Sequence, residues 1–89
     1  MARIAFTENL RRHVACPPSE VAGTSVREAL QAYFARHAEV RGYVLDDQGA
    51  LRRHVVVFVD GHQIADRTKL SDPVAHGGEI FVAQALSGG

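Results

Sequence analysis

Thr24-Ser25-Val26-Arg27-Glu28-Ala29-Leu30-Gln31-Ala32-Tyr33-Phe34-Ala35-Arg36-His37 is the stretch from which the fold of this 89-residue chain is read. Ser25 and Glu28 stand in the S-x-x-E spacing of a capping box. In that device the serine hydroxyl accepts from an orphan amide of the first turn while the glutamate reaches back. A helix is expected to start there. Val26, Ala29, Leu30, Tyr33, Phe34 and His37 recur at steps of three and four, whereas Arg27, Glu28, Gln31 and Arg36 fall elsewhere on the wheel. One face is therefore built for burial. The spacing predicts an end between Ala38 and Arg41, with Gly42 able to adopt a left-handed cap.

On the N-terminal side, Ile4 and Phe6 alternate with Arg3, Ala5 and Thr7, which is the pattern of a half-buried strand. Glu8 to Arg11 reads as a polar turn. A second extended stretch lies between Arg12 and Val21, interrupted by Pro17-Pro18. Two prolines cannot donate ladder hydrogen bonds, so this strand is expected on an edge or broken. On the C-terminal side, Asp46-Asp47-Gln48-Gly49 forms a turn cluster, and Leu51 to Val59, with its run of β-branched valines, predicts the strongest strand. Asp60-Gly61 is a hairpin turn pair that folds His62 to Ile64 back as a short strand. Leu70 to Pro73 reads as loop or one helical turn. Glu79 to Ala85 predicts the last strand, and the sequence closes with Leu86-Ser87-Gly88-Gly89.

The order is strand, strand, helix, strand, short strand, strand. A helix between two hairpin-like halves implies an α+β fold, a mixed sheet of about five strands covered on one face by one main helix. That arrangement is the β-grasp. Only one sheet face can meet the helix. Val57, Val59, Ile80 and Val82 are expected to form the core with Ile4, Phe6 and Leu30. Phe58, Phe81 and Ala83 then point outward as an exposed apolar patch, a feature that commonly marks an interaction site. The competing reading is that a loop covers Phe58 or Phe81.

Three segments together resemble a known family. They are the helix start Thr24 to Leu30, the strand and turn Val55-Val56-Val57-Phe58-Val59-Asp60-Gly61, and the ending Ala85-Leu86-Ser87-Gly88-Gly89. The chain resembles, over nearly its whole length, the MoaD/ThiS sulfur carriers, ubiquitin-like proteins that include the small subunit of molybdopterin synthase. The segment Leu51 to His54 and the length are closer to the MoaD and CysO-like branches. Pro17-Pro18 and Ala75-His76-Gly77-Gly78 depart from the commonest loop forms of the family. The resemblance implies that an E1-like adenylyltransferase uses ATP and Mg²⁺ to adenylate the Gly89 carboxylate. Sulfur then displaces AMP to leave a thiocarboxylate, which a sulfur-acceptor synthase or large subunit consumes.

On that reading the chain is no enzyme and binds no cofactor of its own; activation of the carboxylate replaces a nucleophilic side chain. Residues 1–86 form the domain and residues 87–89 a flexible tail. Gly89 is the site of activation, and Gly88, lacking Cβ, lets the tail thread a narrow channel. Phe58, Phe81, Ala83, Leu86 and Ser87 bind partners. The same Gly89 would equally serve a ubiquitin-like modifier joined to lysines. A third reading is an interaction module that never modifies its end.

Composition excludes several other classes. With 46% hydrophobic residues the chain can bury a core, and its formal charge of zero lacks the basic excess of nucleic-acid or anionic-membrane binding. Arg11-Arg12-His13 and Arg52-Arg53-His54 are expected to be solvated edges. One cysteine, Cys16, permits neither an internal disulfide nor a thiolate metal cluster, and beside Pro17 it is expected to be an inert or incidentally exposed loop thiol. His13, His37, His54, His62 and His76 lack zinc-ligand spacing, so no metal site is expected. No apolar run approaches the ~20 residues of a membrane helix. A cytoplasmic location is expected.

Overall fold

The computed structural model of the chain describes residues 1–84. The expected capping box forms, with a shift of one residue. The amide of Glu28 donates to Ser25 Oγ at 3.2 Å, and Glu28 Oε1 accepts from the N–H and hydroxyl of Thr24 at 2.8 and 3.0 Å. These two bonds pull the Glu28 carboxyl below its usual range. From this start α2, Val26–Arg36, buries Val26, Ala29, Leu30, Tyr33 and Phe34, as the periodicity requires. Its first amides are also used: Val26 N–H donates to Asp72 O and Arg27 N–H to Leu70 O.

The sheet is five-stranded and mixed, in the order β2-β1-β5-β3-β4. Its strands are β1 (Ala2–Phe6), β2 (Ser19–Val21), β3 (Val55–Val59), β4 (His62–Gln63) and β5 (Glu79–Gln84). β1 and β5 run parallel in the middle, and the other pairs are antiparallel. β2 starts directly after Pro17-Pro18 and lies on an edge, where missing donors cost least. Asp60 (φ 51°) and Gly61 (φ 84°) make the turn between β3 and β4, with positive φ at both positions as a two-residue hairpin demands. The core takes in Ile4, Phe6, Leu30, Val55, Val57, Ile80 and Val82, all buried. Val59, expected inside, is half-buried at its margin.

Four local expectations are corrected. Glu8 to Arg11 is no polar turn but a short helix, α1 (Glu8–Arg11), that inserts Leu10 into the core with no exposed surface. The helix after Ser25 ends earlier, at Arg36, and His37 (φ −132°, ψ 64°) breaks it before a separate α3, Ala38–Val44. Eleven helical residues span roughly 16 Å, about the length of a five-residue strand, so a straight continuation would overrun the sheet. Bending at His37 instead buries Val40 and Val44 completely. Gly42 therefore lies inside α3 and caps nothing. Finally, β3 begins at Val55, not Leu51. Leu51 makes a single bridge to Leu45, while Arg52 Nε bonds Gly42 O at 2.6 Å and a turn from Arg52 to Val55 precedes the strand.

The Leu70 to Pro73 segment is loop. Asp66 organises it by accepting from the amides of Thr68, Lys69 and Ser71 and from the Ser71 hydroxyl. The Ser71 hydroxyl, then the amides, hold the Asp66 carboxyl down at about 2.

Candidate functional site: the outer sheet face and the end of β5

Strand alternation sorts β3 and β5 as the sequence predicts. Val55 and Val57 of β3, and Ile80 and Val82 of β5, face the helix layer and are buried. Phe58, Phe81 and Ala83 face the other way. Register aligns them, because Phe58 pairs with Phe81 and Val56 pairs with Ala83 across the antiparallel ladder. On the opposite side of β5, Ala5 of β1 pairs with Phe81. Phe81 thus sits between Ala5 and Phe58 in one row crossing three strands, and it is 41% exposed. Phe58, Ala83, Val56 and Ala5 are half-buried. Among the described residues no loop seals Phe81. Val56 and Ala5 enlarge the patch beyond the expected trio; alternation had already placed both on this face.

One end of the patch is acidic. Phe58 and Phe81, with Asp60, Gly61 and Glu79, line a shallow depression of about 670 Å³. Its rim is rigid: Asp60 N–H donates to Glu79 O at 2.8 Å, and Glu79 N–H donates to Asp60 Oδ1 at 2.9 Å. An apolar floor beside two carboxylates suits a partner surface that offers aliphatic side chains with a nearby base.

The far end of β5 is held by the segment that the sequence left as a turn. Thr7 N–H donates to Val82 O at 3.1 Å, Gln84 N–H donates to Thr7 Oγ1 at 3.4 Å, and Asn9 Nδ2 donates to Gln84 Oε1 at 3.3 Å. Buried Leu10 anchors this corner from below. The chain therefore leaves the described part of the domain from a fixed point beside α1. Leu86, Ser87, Gly88 and Gly89, the remaining expected site residues, lie outside the described residues, as does Ala85 of the expected last strand.

The other candidates behave as structural residues. Cys16 is buried, and burial pushes its thiol above the usual range against a smaller opposing effect of Arg11. The sequence had not singled out Tyr33 beyond its place on the buried face. Its hydroxyl donates to Pro17 O at 2.8 Å, and burial, helped by Cys16 and Glu39, pushes it to about 12. His37 stacks on the Tyr33 ring at 4.5 Å, and His76 Nδ1 meets the Met1 amine at 2.8 Å. Among the described residues no three His, Cys, Asp or Glu side chains gather as a metal site, and no helix is long and apolar enough to cross a membrane.

A mixed sheet with parallel central strands, one long helix across it and an open apolar outer face is the β-grasp of ubiquitin-like proteins. No family model matches the sequence, and no curated protein matches it; the likeness is to solved structures. CysO in the Amycolatopsis orientalis BexX/CysO complex superposes with a TM-score of 0.82 at 22% identity over the whole of both chains. SAMP1 of Haloferax volcanii does so with a TM-score of 0.78 at 25% identity, over 99% of this chain and 98% of that one. Mycobacterium tuberculosis CysO, described as an antigen, gives 0.80 at 17% identity over 97% and 100%. The MoaD/ThiS-type resemblance, with its CysO-like leaning, is thus matched by the architecture of the entire domain.

Proposed function

We propose that this chain is a sulfur carrier whose Gly89 carboxylate is adenylated by an E1-like enzyme with ATP and Mg²⁺ and then converted to a thiocarboxylate. The observation that carries the reading is positional. Gly88-Gly89 follows within five residues of Gln84, the end of the central strand β5, in a domain with the CysO fold. A carboxylate is a poor electrophile, whereas its mixed anhydride with AMP carries a good leaving group, so the chain needs to offer only a reachable carboxyl. The domain's own part is to bind and to orient. In this account Phe58, Phe81 and Ala83 dock the activating enzyme and the sulfur-acceptor synthase or large subunit. Leu86 and Ser87 then enter the partner's channel ahead of Gly88 and Gly89. The domain occupies residues 1–86, with 87–89 as the tail. The work is placed in the cytoplasm, where a single, buried thiol needs no disulfide partner.

That a CysO chain has been solved in complex with BexX supports partner binding by this fold. The protein isolated from its host, or incubated with the cognate activating enzyme and ATP, is expected to include a fraction heavier by one sulfur-for-oxygen exchange. Absence of that species in both samples refutes the carrier reading. Three similar structures are of small archaeal modifier protein 1, SAMP1, which favours a second reading in which Gly89 forms an isopeptide with lysines of other proteins. A pure interaction module would keep its activity after deletion of Gly88-Gly89; either chemical reading requires loss.

A further inference from the structure

Nine of the ten basic residues are arginines, and the only lysine is Lys69. For a chain proposed to carry an activated acyl group this matters chemically. A guanidinium stays protonated and does not compete as a nucleophile, whereas an ε-amine does. The one thiol, Cys16, is buried and biased toward its protonated form. Of the side chains that could capture an acyl group as an amine or a thiolate, Lys69 alone is on the surface.

Its setting is that of an acceptor. Lys69 is exposed, and among the described residues its Nζ takes part in no ion pair. The backbone beneath is fixed, since Lys69 N–H donates to Asp66 Oδ1 at 2.9 Å and Lys69 O accepts from Arg27 Nη1 at 3.4 Å. The side chain borders an open recess of about 460 Å³ shared with Ser25, Arg27 and Ser71.

Topology sets its distance from the donor end. Lys69 lies at the start of α2, where Arg27 N–H bonds Leu70 O and Ser25 bridges Pro73. That end also holds the first residues of β1 and β5, because Val74 N–H bonds Thr24 O just before α2, Gly77 N–H bonds Met1 O, and Arg3 pairs with Glu79. Gln84, from which the chain continues to Gly89, is at the other end beside α1. The rise of β5 separates the two ends by roughly 17 Å. The five residues from Gln84 to Gly89 reach at most about 17 Å when fully extended, so closure on the same copy would take a fully stretched and reversed tail, whereas a link to a second copy needs none.

We propose that Lys69 is the site at which a second copy of this chain is joined through its Gly89, giving head-to-tail chains. This rests on the activation of Gly89 proposed above. The step balances simply. Lys69 Nζ, having lost a proton to solvent, attacks the Gly89 carbonyl carbon of the acyl-adenylate that the activating enzyme makes from ATP. A C–N bond forms, the C–O bond to AMP breaks, AMP leaves with the electron pair, and the second amine proton goes to solvent.

The test compares the full chain with Lys69→Arg, which keeps charge and exposure, each carrying an N-terminal tag and supplied with the host's activating enzyme and ATP. The wild type is expected to form a ladder at multiples of the tagged chain's mass, 9.7 kDa plus the tag, with a branched peptide joining Gly89 to Lys69 Nζ. Lys69→Arg is expected to lose the ladder while intact mass still shows activated Gly89, as adenylate, thiocarboxylate or conjugate to other proteins. Activated Gly89 without the branched peptide, or a ladder that survives Lys69→Arg, overturns the inference and leaves the proposed function standing. No activated Gly89 in either protein overturns both.

Discussion

Leu10→Ala asks whether the short helix α1 belongs to the cooperative core or is a surface ornament. Leu10 has 0% exposure, and it is the one buried residue of α1. Truncation deletes roughly three methylene equivalents at about 0.8 kcal/mol each, or ~2.4 kcal/mol of transfer free energy. The void left in a packed site raises the expected cost to about 3–4 kcal/mol, within the usual span for buried leucine. With an unfolding entropy of about 2.1 cal/mol/K per residue, 3 kcal/mol in a chain of this length lowers Tm by about 16 °C. Circular-dichroism melts of wild type and variant measure this directly. Glu8→Ala, which breaks only the exposed 3.7 Å ion pair to Arg12, serves as the control and should change Tm little. Because α1 also holds Gln84 through Thr7 and Asn9, amide exchange at Gln84 should accelerate in Leu10→Ala but not in Glu8→Ala. A fall in Tm below about 5 °C, with exchange at Gln84 unchanged, would refute the view that this corner is built into the core.

Phe81→Glu should leave Tm close to that of wild type, since Phe81 is 41% exposed. It should weaken binding to the activating enzyme by about tenfold or more, as expected of a central aromatic anchor; equal affinity in a calorimetric titration would remove the outer face from the proposed docking surface. Asp66 gives an acid-stability prediction. Its folded-state value of about 2 lies below the ordinary carboxylate value, chiefly through the Ser71 hydroxyl. Its contribution is therefore complete above about pH 4 and is lost as pH falls toward 2. Asp66→Asn should flatten the dependence of stability on pH in that window, and an unchanged acid-unfolding curve would count against the loop's role.

Periodicity carried most of the architecture. Ser25, Glu28 and the apolar face from Val26 to Phe34 located α2, and the alternation in β3 and β5 separated the core from the outer patch, because those patterns are local and repeat several times. What escaped was settled by tertiary geometry. One buried leucine in four residues has no period, so α1 could not be told from a turn. The break at His37 depends on how long the sheet is, which no residue of the helix encodes. Arg52-Arg53-His54 reads as continuous with the valines that follow, yet the bond from Arg52 to Gly42 O turns the chain away. Within the candidate site, Phe58, Phe81 and Ala83 were legible, as they obey alternation. The hold of Thr7 and Asn9 on Gln84 joins positions 75 or more residues apart and leaves no trace in either neighbourhood.

The placement of β5 between β1 and β3 also shapes how the molecule comes into being. Among the described residues the last strand to be synthesised is the middle one of the sheet. Until it arrives, β1 with β2 and β3 with β4 are two separate hairpins with facing unpaired edges, and such pieces are marginal on their own. Closure brings residues more than seventy positions apart into register, a non-local step that slows folding. A growing chain is thus held open until β5 is made, and one cut short before Gln84 lacks the full strand that joins its halves. A partner that recognises the closed sheet therefore meets only chains that have been read through β5.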